Sequence, residues 1–322
     1  MSRDTGRGTG TRAVLARATG ILTTAGVDSP ENDAVLLLAH LWADGDARRT
    51  ARRRLDDAEV PPEVVEAFEA AVRRRARREP LQHITGTAYF RYLELAVGPG
   101  VFVPRPETEL LVDAVLRARP GRVPAPGTDA AEAPRALDLC SGSGALAIAL
   151  ATEWRADVTA VELSPEALVY TRRNAAGYAA EVTRRGSRLT VLDGDALDPG
   201  TWWDGQPYDV VVSNPPYVPR SLQPQIPEVT GYDPALALYG GGDDGTDFPR
   251  ALARTVRSLL VPGGLFVMEH DETQGDALRS TLAALGYADA RTHRDYTGRD
   301  RFTTAATPED TSPDTPPAPD RG

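Results

Sequence analysis

Lysine is missing from this sequence of 322 residues, and all 36 basic positions are arginine. That absence excludes Schiff-base chemistry, the phosphate-gripping lysine of a Walker loop and any lysine general base. Cysteine is almost missing too: Cys140 stands alone, so no internal disulfide and no multi-cysteine zinc site can form, and a reducing cytoplasm is the expected compartment. The four histidines are scattered along the chain, so none is assigned to a metal or a triad. No apolar run reaches membrane-spanning length, and the polar start up to Thr11 lacks the apolar segment of an export signal. A basic excess is lacking as well. The net charge of −10 argues against a general nucleic-acid binder.

What is present divides the chain. Its length suffices for two domains of ordinary size. Apolar spacing and caps predict helices over 12–25, over 30–42 behind the Ser29 cap, and over 62–78 after Pro61. These make a small all-α domain over 1–82. The arginine cluster 73–78 reads as a solvated basic helix end complementing the macrodipole, with contact to an acidic or RNA partner as the alternative. Short extended segments broken by Gly86, Gly98 and Gly100 predict a β-hairpin linker over 83–104. From 105 to 305, after a Pro- and Gly-rich insertion at 119–134, strands alternate with helices, which implies α/β architecture with a mostly parallel, doubly wound sheet. The polar, Pro-rich tail 306–322 is expected to be disordered.

Two stretches of this second domain carry chemistry. Asp138-Leu139-Cys140-Ser141-Gly142-Ser143-Gly144 joins a strand directly to a helix, a turn in which small residues let the backbone approach a ligand. The next strand ends in Glu162, about 20 residues on, where a carboxylate accepts from ribose hydroxyls. The third strand is followed by Asp195, placed to accept from an adenine amino group. Ala147 stands where a dinucleotide fold often has its third glycine, which leaves both a dinucleotide and S-adenosylmethionine open.

The fourth strand separates these two. An apolar run over 208–212 ends at Ser213-Asn214-Pro215-Pro216-Tyr217, and proline has no N–H. The carbonyls of Asn214 and Pro215 therefore lack local donors, beside the Asn214 side-chain carbonyl and the Tyr217 ring. Such a pocket suits a planar group bearing an NH2, for which hydride transfer has no use.

These motifs resemble the bacterial protein-(glutamine-N5) methyltransferases that act on peptide-chain release factors. The resemblance runs from about Glu79 to Phe302, through Pro104-Arg105-Pro106-Glu107-Thr108-Glu109, the glycine turn, Asn214-Pro215-Pro216-Tyr217 and Gly242-Asp243-Asp244-Gly245. It implies a seven-stranded, Rossmann-like S-adenosylmethionine methyltransferase domain, preceded by the small all-α domain and the hairpin. The implied donor is S-adenosylmethionine, and the acceptor is a glutamine in the Gly-Gly-Gln loop of a release factor. Asp138, Cys140, Ser141, Gly142, Gly144, Glu162, Asp195 and Asn214 are then the donor-binding residues. Asn214, Pro215 and Tyr217 are the catalytic ones. Cys140 departs from the glycine of many relatives. Glu107 and Glu269 are left without an assigned role. A monomer with no nucleic-acid substrate is expected; a ribosomal protein or a DNA adenine would share the same kind of pocket.

Overall fold

The computed structural model describes residues 9–42, 46–118, 133–221 and 226–309. The expected loose start, the 119–134 insertion and the polar tail lie wholly or mostly outside these. By contact the chain groups into two units, one of residues 1–88, 96–103 and 223–234, the other of 89–95, 104–222 and 235–322.

The helical unit begins with α1 (Thr11–Thr24), α2 (Pro30–Trp42), α3 (Ala47–Leu55), α4 (Pro62–Ala76) and α5 (Leu81–Thr85). Val14, Leu15 and Leu22, with Leu37, Leu38, Phe68 and Val72, close its core. The helix α3 was not expected, because its Arg-rich sequence carries no apolar stripe. Its start is secured by Asp46, which accepts from the N–H groups of Arg48 (2.9 Å) and Arg49 (3.3 Å). Its far end leans on an aromatic ring, with the Arg53 guanidinium 3.8 Å from the Trp42 centroid. The chain then enters the strands β1 (Thr87–Phe90) and β2 (Leu93–Ala96), the expected hairpin.

The remaining elements are α6 (Glu109–Ala118), β3 (Arg135–Leu139), α7 (Ala145–Glu153), β4 (Asp157–Glu162), α8 (Pro165–Arg184), β5 (Arg188–Asp193), β6 (Tyr208–Ser213), α9 (Pro227–Tyr232), α10 (Ala235–Leu238), α11 (Asp247–Val256), β7 (Leu260–Glu269), α12 (Gly275–Ala284), β8 (Ala288–Arg294) and β9 (Asp300–Ala306). Of these, α9 belongs by contact to the helical unit. There Arg75 and Arg78 depart from the solvated helix end expected of the arginine cluster, while Arg73 and Arg77 are exposed. Arg75, 7% exposed, donates from Nε to Asp33 (2.7 Å) and from Nη1 to Glu228 of α9 (2.7 Å). Arg78 adds two bonds to Glu228, each 2.7 Å. Burial pushes the Glu228 carboxyl up, but the bonds from Arg78 and Arg75 outweigh it and hold the group below the usual carboxylate range.

In the second unit seven strands form one sheet in the order β5-β4-β3-β6-β7-β9-β8. The first five are parallel, and β9 inserts antiparallel between β7 and β8. Sequence order reverses on either side of β3, so β3 and β6 flank the topological switch point where open α/β sheets bind ligands. Helix α7 is apolar on all sides and buried from Ala145 to Thr152, as a helix packed all round must be. At the hairpin turn Arg91 donates to Glu153 of α7 and Asp113 of α6, at 2.7 and 2.8 Å. Among the described residues, no helix is long and apolar enough to cross a membrane.

Candidate active site

Strand register lines up the functional groups. Leu139 pairs with Val161 and with Ser213, Glu162 pairs with Asp193, and Ser213 pairs with Met268. The next residue along each strand therefore falls in one row at the carboxyl edge: Asp193, Glu162, Cys140, Asn214 and Glu269. Five separate stretches of sequence meet there.

The glycine turn occupies one half of the row. Gly142 and Gly144 adopt φ values of +56° and +82°, the left-handed region open to glycine. A Cβ on Gly144 would sit 3.2 Å from the Thr171 methyl. Helix α8 holds the turn from beneath, with the Thr171 hydroxyl donating to Gly142 O (2.6 Å) and Asn174 Nδ2 donating to Ser143 O (2.9 Å). Cys140 is forced to φ +62°, which explains why glycine suits this position. A side chain there costs about 1–2 kcal/mol in backbone strain. Burial raises the Cys140 thiol well above the usual thiol range, which disfavours the thiolate form.

Two carboxyls flank the turn. Asp138 is fully buried; its Oδ2 accepts from Ala147 N at 3.1 Å, while its Oδ1 has no hydrogen-bond partner among the described residues. Burial pushes this carboxyl up to about 7. Glu162 accepts from Gly142 N (2.7 Å) and from Ser164 N (2.8 Å), one bond to each oxygen. Its pKa is also raised by burial, against those backbone bonds. Each of its oxygens keeps a further lone pair for a ligand. Ser141 turns inward and donates to Asp138 O at 2.9 Å. Farther along, Asp195 accepts from Leu197 N at 2.8 Å, and its carbonyl accepts from Trp202 Nε1 at 2.7 Å.

On the other half stands the Asn-Pro-Pro-Tyr loop. Asn214 donates from Nδ2 to Thr108 Oγ1 at 3.3 Å. Thr108 donates in turn to Glu269 Oε2 at 2.6 Å, and Tyr217 OH donates to Glu269 Oε1 at 3.1 Å. Glu269 is 2% exposed, and its burial raises it to about 7 although these two donors and Arg301 pull the other way. Burial, followed by the charge of Glu269, lifts Tyr217 well above the ordinary phenol range.

Gln274 completes the loop. Its Nε2 donates to Tyr217 O (2.8 Å) and to Asp244 O (2.7 Å), tying the loop to the Gly242-Asp243-Asp244-Gly245 segment. The approach is close enough that a Cβ on Gly245 would lie 2.1 Å from Tyr217 O.

The structure thus brings Asp138, Cys140, Ser141, Gly142, Gly144 and Glu162 together around one turn, and Asn214, Pro215 and Tyr217 around one loop. Thr108, Glu269 and Gln274 were missing from the sequence-based site. The sequence signal for Thr108 was its position within the Pro104-Arg105-Pro106-Glu107-Thr108-Glu109 motif of the resemblance, and Glu269 carried no assigned role, since a buried polar residue gives no periodic pattern.

Comparison with known proteins identifies the family. The family profile of the PrmC N-terminal domain matches residues 13–86, and a methyltransferase domain profile matches residues 136–229. A release factor glutamine methyltransferase of Streptomyces coelicolor is 47% identical over 296 residues, covering 91% of this chain and 96% of that protein. The proteins of the same name from Bifidobacterium longum and Corynebacterium glutamicum are 43% and 41% identical, each over 90% of this chain and over 97% and 96% of their own length. With a helical N-terminal domain, a glycine turn on a seven-stranded sheet and an acceptor-rich Asn-Pro-Pro-Tyr loop beside it, this chain belongs to the release factor glutamine methyltransferases.

Proposed function

We propose that this chain methylates the side-chain amide nitrogen of the glutamine in the Gly-Gly-Gln loop of a peptide-chain release factor, with S-adenosylmethionine as donor, in the cytoplasm and as a monomer. The observation that carries the reading is the Asn214 amide. Its NH2 is engaged by Thr108 at 3.3 Å, which turns its carbonyl toward the NH2 of an incoming glutamine, beside the Pro215 carbonyl.

The donor site is read from the glycine turn. The unpartnered Oδ1 of Asp138 suits the ammonium of an amino-acid moiety, and the free lone pairs of Glu162 suit two ribose hydroxyls. Asp195 is assigned to the adenine amino group. Bound there, S-adenosylmethionine supplies a methyl carbon on a sulfonium, activated by its neutral thioether leaving group.

An amide nitrogen is a poor nucleophile because its lone pair is delocalised into the carbonyl. Asn214 and Pro215 accept its two hydrogens, which enriches the nitrogen and aims it along the line of attack, while Tyr217 packs on the amide plane. Such a donor would supply its methyl to this nitrogen, the sulfur keeping the electron pair of the carbon–sulfur bond as the nitrogen–carbon bond forms. The nitrogen then loses its proton to solvent, since methylation has made it acidic. No strong base is needed at the nitrogen, and Asn is chemically sufficient.

The helical unit is assigned to docking the protein substrate. Mass spectrometry of tryptic release-factor peptides after incubation with enzyme and donor tests the whole reading. A 14-dalton gain, about one methylene, confined to the Gly-Gly-Gln peptide is the expected result. Methylation of a ribosomal protein or of DNA instead would reject the substrate assignment.

A further inference from the structure

We propose that Glu269 and Thr108 are positioning residues for methyl transfer, fixing which end of the Asn214 amide faces the substrate. The inference rests on the reading of the Asn214 carbonyl as acceptor of the substrate N–H.

The argument is a count of protons. A threonine hydroxyl has one proton and two lone pairs, whereas a carboxylate, the form Glu269 takes above the value of about 7 to which burial raises it, can only accept. Thr108 and Glu269 are 4% and 2% exposed, so bulk water does not compete for either. With Thr108 Oγ1 2.6 Å from Glu269 Oε2, the single Thr108 proton goes to the carboxylate. Toward Asn214, 3.3 Å away, the same oxygen has only a lone pair to offer. The end of the amide that meets it must then be Nδ2. The carbonyl is left on the opposite side of the side chain.

If Glu269 made no demand on that proton, Thr108 could donate to Asn214 Oδ1 equally well. The amide would turn over, and its NH2 would confront the NH2 of the incoming glutamine, donor against donor. The second oxygen of Glu269 accepts from Tyr217 OH at 3.1 Å, so one carboxylate orients both the acceptor and the flat wall of the pocket. Register places Glu269 one strand from Asn214, and the short helix after Pro104-Arg105-Pro106 inserts Thr108 as the link between them.

Three substitutions test this in single-turnover methyl transfer on intact release factor. Thr108→Val, which keeps the shape and removes the hydroxyl, is expected to lower the rate about 10- to 100-fold. The KM for release factor and the affinity for S-adenosylhomocysteine should stay within about twofold. Thr108→Ser retains the proton and should restore the rate to within about threefold of wild type. Glu269→Gln can donate to Thr108 and release its proton toward Asn214, so it should slow transfer as Thr108→Val does.

The deciding measurement is the cycle with Asn214→Asp. A carboxylate has two like oxygens and no orientation to set, so in that background Thr108→Val should cost less than about twofold. An equal loss in both backgrounds would mean that the hydroxyl serves packing alone and would overturn the proposal. Wild-type rates in both Thr108→Val and Glu269→Gln would overturn it as well, and Glu269→Gln decides the matter if the valine variant does not fold. Asn214→Ala transferring at the wild-type rate would reject the underlying reading of Asn214. A slow Asn214→Ala beside a fast Thr108→Val would reject the positioning role alone.

Discussion

At the scale of single residues, the two halves of the site respond to different measurements. Glu162, proposed to bind the ribose, also accepts from Gly142 and Ser164, so it orders the turn that it helps to form. Glu162→Ala should weaken S-adenosylhomocysteine binding in calorimetric titration by about 1.5–3 kcal/mol, the range for hydrogen bonds to a charged group. Unchanged affinity would remove Glu162 from the donor site. At Asn214 the substitutions should act on rate: kcat in the order Asn, Asp, Ala, with alanine about 5- to 150-fold slow through an unpaired donor on the substrate. Donor affinity should barely move in Asn214→Ala on the proposed reading, which gives the contact to the acceptor; a loss of donor affinity would return Asn214 to the donor-binding set that the resemblance implies.

Asp138 extends this to pH. Its folded-state pKa of about 7 lies above the ordinary 3.8, so the donor-free native protein holds this proton more tightly than the unfolded chain does. The resulting stability is fully present below the unfolded value and is lost as pH rises through the folded one. Between about pH 4 and pH 7 the wild type should lose thermal stability relative to Asp138→Asn, which cannot titrate there. Parallel melting curves for the two proteins across that window would show the slope to lie elsewhere.

At the scale of elements, the acceptor pocket depends on loops that touch backbone to backbone. Gly245 has φ +75°, and a Cβ there would approach Tyr217 O to 2.1 Å. Gly245→Ala therefore has to push the Asn-Pro-Pro-Tyr loop away from Gln274 as well as strain its own backbone. The strain alone is about 1–3 kcal/mol. Single-turnover transfer should fall about tenfold or more, while S-adenosylhomocysteine affinity stays near wild type, since the glycine turn is on another strand. A variant that transfers normally would show the contact to be dispensable.

For the whole molecule, the division of labour between units is tested by removing residues 1–79. The truncation also strips Glu228 of Arg75 and Arg78, so full-length Glu228→Ala is the matched control for that loss. Relative to this control, truncation should raise KM for intact release factor far more than for a short Gly-Gly-Gln peptide. Donor binding should be retained. Equal losses on both substrates would reject the docking role.

Sequence alone determined what neighbours along the chain decide among themselves. Prolines that cannot donate left carbonyls open at Asn214 and Pro215. Glycines free to take positive φ marked the turn before α7, and alternating strands and helices implied a wound sheet. Helix α3 escaped because its Asp46 cap signals a start but its arginines show no buried face. The carboxylate behind the pocket escaped for another reason. Thr108 and Glu269 are 161 positions apart, and Thr108 and Asn214 are 106 apart. The apolar run of β7 announces a buried strand but not which strand it pairs with or in what register. Crossover helices and core packing settle that. Only the pairing of Ser213 with Met268 brings Glu269 level with Asn214, where a buried polar side chain becomes part of the site.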